Sequence, residues 1–218
     1  MRPNLRRDLP AALTVLILLA PGMAAHGQEE NELREFAVGM AAAALPPQGY
    51  AGFSCAAEPA RELTGWSDWR SCPPDDAGLR AVRFRYDDRF SDLARIDEDE
   101  AGTKVGGHPV LLTLLIGDQA QVEGLQIETD PKARLYLRKK AFLFGRQVMA
   151  RFGEEGWRCT ESEPGSGEAP VGGVFIRQHC EKTTATRRYV LDRELFRREG
   201  EALKDFVGGT RLTILRAG

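Results

Sequence analysis

The chain has few residues that could carry out metal or nucleophilic chemistry. Its histidines are His26, His108 and His179. A zinc site needs several imidazole or thiolate ligands that converge on one ion. A serine hydrolase needs a nucleophile on a turn of the type G-x-S-x-G, which the sequence does not contain. The sequence also lacks a G-x-G-x-x-G motif and a phosphate-binding loop. We therefore expect neither a metal ion nor a cofactor.

Carboxylates are the remaining candidates for catalysis. Two similar stretches, RFRYDDRF at 83–90 and RRYVLDRELF at 187–196, carry acidic residues at comparable places. The acidic candidates are Asp87, Asp88, Asp192 and Glu194. Paired carboxylates beside a cleft hydrolyse glycosidic bonds, so a carboxylate-dependent hydrolase acting on cell-envelope glycan or peptide is an alternative function. Because both stretches carry acidic residues, a structural role for them is favoured.

Two tryptophans could instead bind a partner. Trp66 and Trp69 stand in the stretch ELTGWSDWRSC, which has no clear counterpart elsewhere in the chain. Exposed aromatic side chains make good anchors for a partner. Burial of both rings in the core is the alternative interpretation.

A cluster of cations is the second candidate for binding. The stretch RLYLRKK at 134–140 places Arg138, Lys139 and Lys140 on a predicted helix. Such a patch could meet anionic lipid headgroups or glycans. An ordinary solvated helix face is the alternative for these three residues.

The N-terminus has the pattern of a cleavable secretory signal. Arg2, Arg6 and Arg7 precede the apolar run LPAALTVLILLA, and small residues follow before the chain becomes polar. We place cleavage near Gly27–Gln28, so that the signal occupies residues 1–27. Ordinary secretion is favoured over twin-arginine export, and an uncleaved anchor is the alternative to cleavage. We expect a periplasmic or secreted protein with no transmembrane segment after cleavage.

Internal sequence similarity predicts how the mature chain is organised. KVGGHPVLLTLL at 104–115 and FVGGTRLTILRAG at 206–218 share a V-G-G followed by a strand-like run, and we interpret both glycine pairs as strand-entry turns. GFSCAAEP at 52–59 is similar to GWRCTESEP at 156–164. Because these matches occur in the same order, the sequence predicts a tandem duplication.

The duplication also selects a pairing for the cysteines. An even number of cysteines in an exported chain favours disulfides. A zinc site is the alternative, but zinc-binding cysteines usually form close pairs along the chain, and none occurs here. Each copy of a repeat would keep its own bridge, which favours Cys55–Cys72 and Cys159–Cys180 over the other connectivities.

Each predicted repeat consists of one helix and a small antiparallel sheet. Helical patterns cover residues 31–44 and 131–152, and strands with alternating apolar residues follow each of them. The predicted fold class is therefore α+β, as a tandem duplication of this unit with one local disulfide per unit. We place the first unit at 28–128 and the second at 129–218.

This arrangement resembles that of the beta-lactamase inhibitor proteins. The resemblance rests on a helical segment and a small antiparallel sheet, duplicated in tandem with a local disulfide in each copy. A single copy is similar to the domains of small outer-membrane assembly lipoproteins, although their lipid-attachment cysteine is missing here. The resemblance implies a binding or scaffolding role in the cell envelope and carries over no residue.

The favoured function is that of a non-catalytic binding or envelope-associated module. Its expected partner is an envelope protein or another envelope component. The formal net charge is −2, and loss of the arginine-bearing signal would make it more negative. This charge disfavours nucleic acid as a partner.

Overall fold

The structure is a computed structural model that describes residues 31–57, 60–91, 102–202 and 204–218. The predicted signal, residues 1–27, lies outside the described residues. Ten strands form one antiparallel sheet. The strands are β1 (Tyr50–Cys55), β2 (Arg80–Tyr86), β3 (Lys104–Val105), β4 (His108–Ile116), β5 (Val122–Thr129), β6 (Arg158–Glu161), β7 (Glu168–Ala169), β8 (Ile176–Thr183), β9 (Arg187–Arg198) and β10 (Val207–Arg216).

The sheet joins the two halves of the chain. Eight strands follow one another in the order β1-β2-β4-β5-β10-β9-β8-β6, while β3 pairs with β4 and β7 pairs with β9. Strand β5 of the first half pairs with β10 of the second, with Ile127 opposite Leu212. The domain limit predicted between residues 128 and 129 falls at the last residue of β5 and stays a prediction.

Helical structure in the described residues lies on one side of the sheet. Helix α1 (Leu135–Lys140), a 3-10 turn (Ala141–Leu143) and helix α2 (Phe144–Arg151) form one continuous segment over β9 and β10. Shorter 3-10 turns occur at Ala42–Ala44, Trp66–Ser71 and Asp88–Phe90.

One hydrophobic core fills the space between the sheet and these segments. The central strands contribute fully buried side chains such as Leu114 and Ile214. Phe36 of the N-terminal segment packs on Phe84 of β2 with 5.0 Å between ring centroids, and Phe144 of α2 belongs to the same core. Burying each such side chain contributes about 1.5–3 kcal/mol to folding, so the core ties both halves together.

The predicted fold class is wrong, because residues 31–44 do not form a helix. The described residues form one large antiparallel sheet with one α-helical segment, rather than two helix-plus-sheet units. Arg34 and Gly39 have φ values of 50° and 95°, which interrupt a helical path. The Gly39 N–H donates to the Val122 carbonyl at 2.7 Å, and the Val122 N–H donates to the Met40 carbonyl at 2.8 Å. These hydrogen bonds to the start of β5 override the helical preference of the alanine-rich segment.

The helix predicted at 131–152 is confirmed in its C-terminal part. It begins at Leu135 instead of near residue 131, and a 3-10 turn interrupts it. Residues 131–134 form a turn instead, in which the Lys132 N–H donates to Asp130 Oδ1 at 2.8 Å and the Ala133 N–H donates to the Asp130 carbonyl at 3.1 Å. The helix ends at Arg151, ahead of Gly153 with its φ of 83°, a usual position for a terminating glycine.

The two V-G-G motifs have different conformations. Gly106 and Gly107 form the turn between β3 and β4 with φ values of 56° and 78°, as predicted for a strand-entry turn. Gly208 and Gly209 instead lie within β10, which corrects the same prediction for the second motif. A Cβ atom at Gly208 would lie 3.1 Å from the Arg138 carbonyl oxygen. Glycine at Gly208 thus allows the helical segment to approach the strand closely.

Both predicted disulfides are confirmed. The Cα atoms of Cys55 and Cys72 are 5.3 Å apart, and those of Cys159 and Cys180 are 4.0 Å apart. The first bridge joins the end of β1 to the end of a 3-10 turn. The second joins directly opposed residues of β6 and β8. Each bridge is local, but the two bridges occupy different structural settings.

Candidate functional site

The two faces of the sheet differ in what lies over them. The helical segment covers one face, where Thr210 Oγ1 donates to the Ala141 carbonyl at 2.8 Å and Phe152 packs on Tyr189. Side chains alternate along a strand, so the intervening residues point to the other face, here called the open face. Its residues are Arg83, Arg85, Leu111, Thr113, Leu115, Gln126, Glu128, His179, Glu181, Arg188, Val190, Asp192, Glu194, Arg211, Thr213 and Leu215.

An apolar pair of side chains lies near one end of the open face. Leu115 of β4 and Leu215 of β10 lie on either side of Gly124 of β5 in the strand register. A Cβ atom at Gly124 would lie 2.7 Å from Leu215 Cδ2, so the two leucines close over the glycine. Both leucines, together with Leu111 and Val190, remain half-exposed. The two leucines therefore form a small apolar patch near the ends of β4 and β10, and polar Thr113, Gln126 and Thr213 form the next row of the face.

A row of charged side chains crosses one end of the open face. Strand pairing places Glu128, Arg211, Asp192 and His179 next to one another on β5, β10, β9 and β8. Arg211 donates to Glu128 at 3.1 Å, and His179 Nδ1 lies 2.6 Å from Asp192 Oδ1. This row is paired within itself, so most of its charge is already compensated.

Two carboxylates favour the protonated form of His179. Its Nε2 atom lies 3.3 Å from Glu181 Oε1, in addition to the contact of Nδ1 with Asp192. A neutral imidazole has one N–H group, so bonding to both carboxylates requires the charged ring. The hydrogen bond to Asp192, followed by that to Glu181, raises the pKa of His179 above its ordinary value.

A shallow depression lies beside this row. Its volume is about 260 Å³, and its lining includes Gly209 and Thr210 of β10, Glu194 of β9 and Arg177 of β8. Arg177 forms an ion pair with Glu168. The Glu194 side chain is exposed at the edge, so the depression could receive a polar group from a partner.

The β2 side of the open face carries two cations, and the charge of Arg85 acts on the Asp87 carboxylate. Arg83 and Arg85 of β2 form no ion pair within the described residues. The buried Nε atom of Arg83 has no hydrogen-bond acceptor in the described part of the chain. Arg85 packs across Gly52, where a Cβ atom would lie 2.8 Å from its Nε atom. The β2 side of the open face is therefore suited to bind an anionic group.

The structure places the predicted aromatic anchors in the core. Trp66 and Trp69 are 9% and 4% exposed. Trp66 packs on Phe84 with 4.9 Å between ring centroids, and its Nε1 donates to the Pro46 carbonyl at 2.9 Å. This burial corrects the expectation of exposed anchors, because neither ring presents enough surface to anchor a partner.

The predicted cationic residues lie on the helical segment, away from the open face. Arg138 is half-buried, and its Nη2 donates to the Phe206 carbonyl at 2.7 Å. Lys139 and Lys140 are exposed. The cluster therefore divides into one structural arginine and two accessible lysines.

The acidic candidates do not come together in one site. Asp87 is buried after β2, where a hydrogen bond from Arg89 holds its pKa below the usual range. Asp88 accepts the Gly102 N–H at 3.0 Å. Asp192 lies on β9, separated from β2 by β4, β5 and β10. These positions favour structural roles for Asp87 and Asp88.

His108 is also part of the covered side. It is 9% exposed and packs on Phe144 with 5.6 Å between ring centroids. Burial lowers the pKa of His108.

Among the described residues no group of three His, Cys, Asp or Glu side chains could hold a metal ion. No helix within the described ranges is long and apolar enough to cross a membrane.

The open face was missed by reasoning from the sequence, although part of its signal was present. Arg83 and Arg85 alternate with buried residues in β2, which marks a strand with one polar face. The same alternation in β9 places Asp192 and Glu194 on one side. The order of the strands was not readable, so these faces could not be joined into one surface.

The fold and this face define a sheet protein that presents one side of an antiparallel sheet. No protein-family model, curated protein or solved structure matches the chain. The resemblance to the beta-lactamase inhibitor proteins and the assembly lipoproteins therefore stays a prediction.

Proposed function

We propose that the protein is an exported, non-catalytic binding module of the cell envelope. Its open face receives a partner protein of that compartment. The partner would present an apolar patch with carboxylates beside it. A small number of close contacts on the face would supply most of the affinity.

The arrangement of the open face carries this proposal. Leu115 and Leu215 form an apolar patch, and charged side chains lie on β2 and across β5, β10, β9 and β8 of the same face. Protein–protein interfaces likewise combine apolar contacts with surrounding polar groups. Rigid strands hold the side chains, so little conformational entropy is lost when they bind.

Charge indicates the chemistry of the partner. The acidic and basic side chains around His179 are paired with one another, as in the contacts of Asp192 and Arg211. Arg83 and Arg85 have no such partners within the described chain. A carboxylate on the partner would compensate these two cations and fix the orientation of the complex.

The two disulfides support a location in an oxidising compartment. Bridges such as Cys55–Cys72 and Cys159–Cys180 persist in secreted and periplasmic proteins and are rare in the cytosol. The sequence pattern at residues 1–27 favours export for an independent reason. Both lines support a periplasmic or secreted protein.

Capture with matched charge variants tests the proposal. The processed protein, with its disulfides formed, is tethered and exposed to a solubilised envelope extract. Captured proteins are identified, purified and titrated against the wild type. The Arg85→Glu variant reverses one charge on the open face, and Arg146→Glu reverses one exposed charge on α2, on the covered side.

The expected result is one saturable partner whose affinity falls in Arg85→Glu and is unchanged in Arg146→Glu. Loss of one close charge contact should weaken binding by about 1.5 kcal/mol or more, roughly tenfold. Equal binding by both variants would remove the open face from the interaction. Turnover of envelope glycan or peptide by the purified protein would contradict a non-catalytic role.

A further inference from the structure

We propose that a basic and partly apolar surface beside α1 docks on a bilayer that contains anionic lipids. The surface is here called the basic surface. It is formed by exposed residues in and just before α1: Lys132, Arg134, Leu135, Tyr136, Lys139 and Lys140. This docking is separate from partner binding at the open face and does not depend on it.

The charge of this segment is opposite to that of the chain as a whole. Residues 131–153 contain seven cations and no acidic residue, in a chain whose formal net charge is −2. Lys132, Arg134, Lys139 and Lys140 are exposed, and none forms an ion pair within the part of the chain that the structure describes. Their charge is therefore available to an anionic surface.

The apolar part of the basic surface is unusual for a solvated helix. Leu135 is 48% exposed and Tyr136 is 55% exposed. In a helix, residues four apart lie on the same side, so Leu135 aligns with Lys139 and Tyr136 aligns with Lys140. The Lys140 Nζ atom lies 6.0 Å from the centroid of the Tyr136 ring. Cations and apolar groups thus occupy one continuous surface.

The inward side of the same helix explains why this surface faces outward. Arg138 bonds the Phe206 carbonyl, and Ala141 is buried against the sheet. These contacts fix the rotation of α1 about its axis. The Lys139 side chain also approaches Gly172, which brings the turn with the exposed Val174 next to the basic surface.

A bilayer surface would bind both the exposed cations and the exposed apolar side chains. Lysine and arginine are attracted to anionic headgroups, while tyrosine and leucine enter the boundary between headgroups and acyl chains. Tyrosine is enriched at that depth because its ring is apolar and its hydroxyl is polar. A soluble polyanion would use the cations and leave Leu135 and Tyr136 unused.

Vesicle binding tests the proposal. The processed protein is mixed with vesicles of phosphatidylcholine alone, or of phosphatidylcholine and phosphatidylglycerol in equal amounts, and the bound fraction is measured by sedimentation. Two variants change the basic surface. Lys139→Glu/Lys140→Glu reverses two positive charges, and Leu135→Ser/Tyr136→Ser removes apolar area. The control Arg61→Glu/Arg70→Glu makes the same change in net charge with two exposed arginines near the β1 edge of the sheet.

We expect the wild type to bind the anionic vesicles and to be released by salt. Lys139→Glu/Lys140→Glu should weaken this binding by about 30-fold or more, since each cation contributes roughly a factor of five at an anionic surface. Leu135→Ser/Tyr136→Ser should weaken it by about tenfold. Arg61→Glu/Arg70→Glu should bind nearly as well as the wild type.

Three results would overturn the proposal. The first is absence of wild-type binding to anionic vesicles. The second is equal weakening by the control, which would indicate a response to net charge alone. The third is full binding by Leu135→Ser/Tyr136→Ser, which would indicate a general polyanion site.

All altered residues are exposed, so urea unfolding should show that each variant is folded. Vesicle binding by Arg85→Glu reports on this proposal independently of the open face.

Discussion

His179 and Asp192 face each other across β8 and β9, with His179 Nδ1 2.6 Å from Asp192 Oδ1. Glu181 contacts the other ring nitrogen of His179. The three residues come from adjacent strands and lie on the open face. Their contacts pair these charges with one another within the protein itself.

The pKa of His179 should respond to the removal of its partner. In Asp192→Asn the pKa should fall toward the ordinary histidine value of about 6.5, because the largest cause of the raised pKa is lost. Titration of the His179 ring protons by NMR measures this change. The same titration of His108, whose pKa burial lowers, is the internal control and should not change.

The same pair should give a small pH dependence of stability. The pKa of His179 is higher in the folded than in the unfolded state, so the contribution of the pair is fully present below the unfolded pKa. It is lost as the pH rises through the folded pKa. Because His179 is about half exposed, the effect should stay below about 1 kcal/mol. Urea unfolding of the wild type and His179→Gln should differ at low pH and converge as the pH rises; a difference that grows with pH would contradict the assignment.

The buried ion pair between Glu32 and Arg187 should be important for stability. Their side chains are 4% and 8% exposed, and Glu32 also accepts the Val38 N–H at 2.8 Å. Glu32→Gln removes the carboxylate from this buried ion pair and should cost about 3–5 kcal/mol of unfolding free energy. Urea unfolding measures the loss.

The exposed pair between Glu128 and Arg211 is a matched control. Arg211 is 47% exposed, so Glu128→Gln should cost less than about 1 kcal/mol. Equal losses in Glu32→Gln and Glu128→Gln would mean that the N-terminal segment is not docked on β9 as described.

The two disulfides should differ in their resistance to reduction. They close loops of similar sequence separation, 17 and 21 residues, and each should contribute about 3 kcal/mol in the chain-entropy model. Cys55 and Cys72 are both buried, whereas Cys159 is exposed. A mild reductant followed by alkylation and mass spectrometry should label Cys159 and Cys180 first. Labelling of Cys55 and Cys72 first would contradict this order.

Trp66 should stabilise the fold through its packing in the core. Trp66→Ala removes a large buried ring and should cost about 3–5 kcal/mol of unfolding free energy. Trp66→Phe keeps most of the ring but loses the hydrogen bond to Pro46, so it should cost less. Chemical unfolding of both variants checks the order. A loss below about 1 kcal/mol for Trp66→Ala would mean that the ring is exposed and would restore the binding-anchor hypothesis.

Some elements were readable from the sequence because their signals are local. Alternation of Val82, Phe84 and Tyr86 with arginines marked β2, and the helical repeat within 131–152 marked the segment that contains α1 and α2. The local disulfides were also predicted correctly. The argument that selected them relied on a tandem α+β repeat, however, and the fold contains no such repeat.

The candidate site was harder to predict from the sequence than the strands and helices that form it. The tryptophans in the first disulfide loop were singled out by type, yet an aromatic side chain gives no local indication of whether it is buried. Arg138 belonged to a charged run, but its contact with Phe206 comes from a residue far along the chain. The open face requires the order of β2, β4, β5, β10, β9 and β8, which alternation within single strands does not specify.

By itself, the sequence determined that β2 has one polar face, where the main helical segment lies, and that this segment carries a run of cations. These properties follow from side-chain periodicity over a few residues. The tertiary structure decided that residues 31–44 pair with the start of β5, that the second V-G-G lies within a strand, and that the strands share one open face. Those outcomes depend on hydrogen bonds and packing between residues distant in the chain, and such partners exist only after the sheet has assembled.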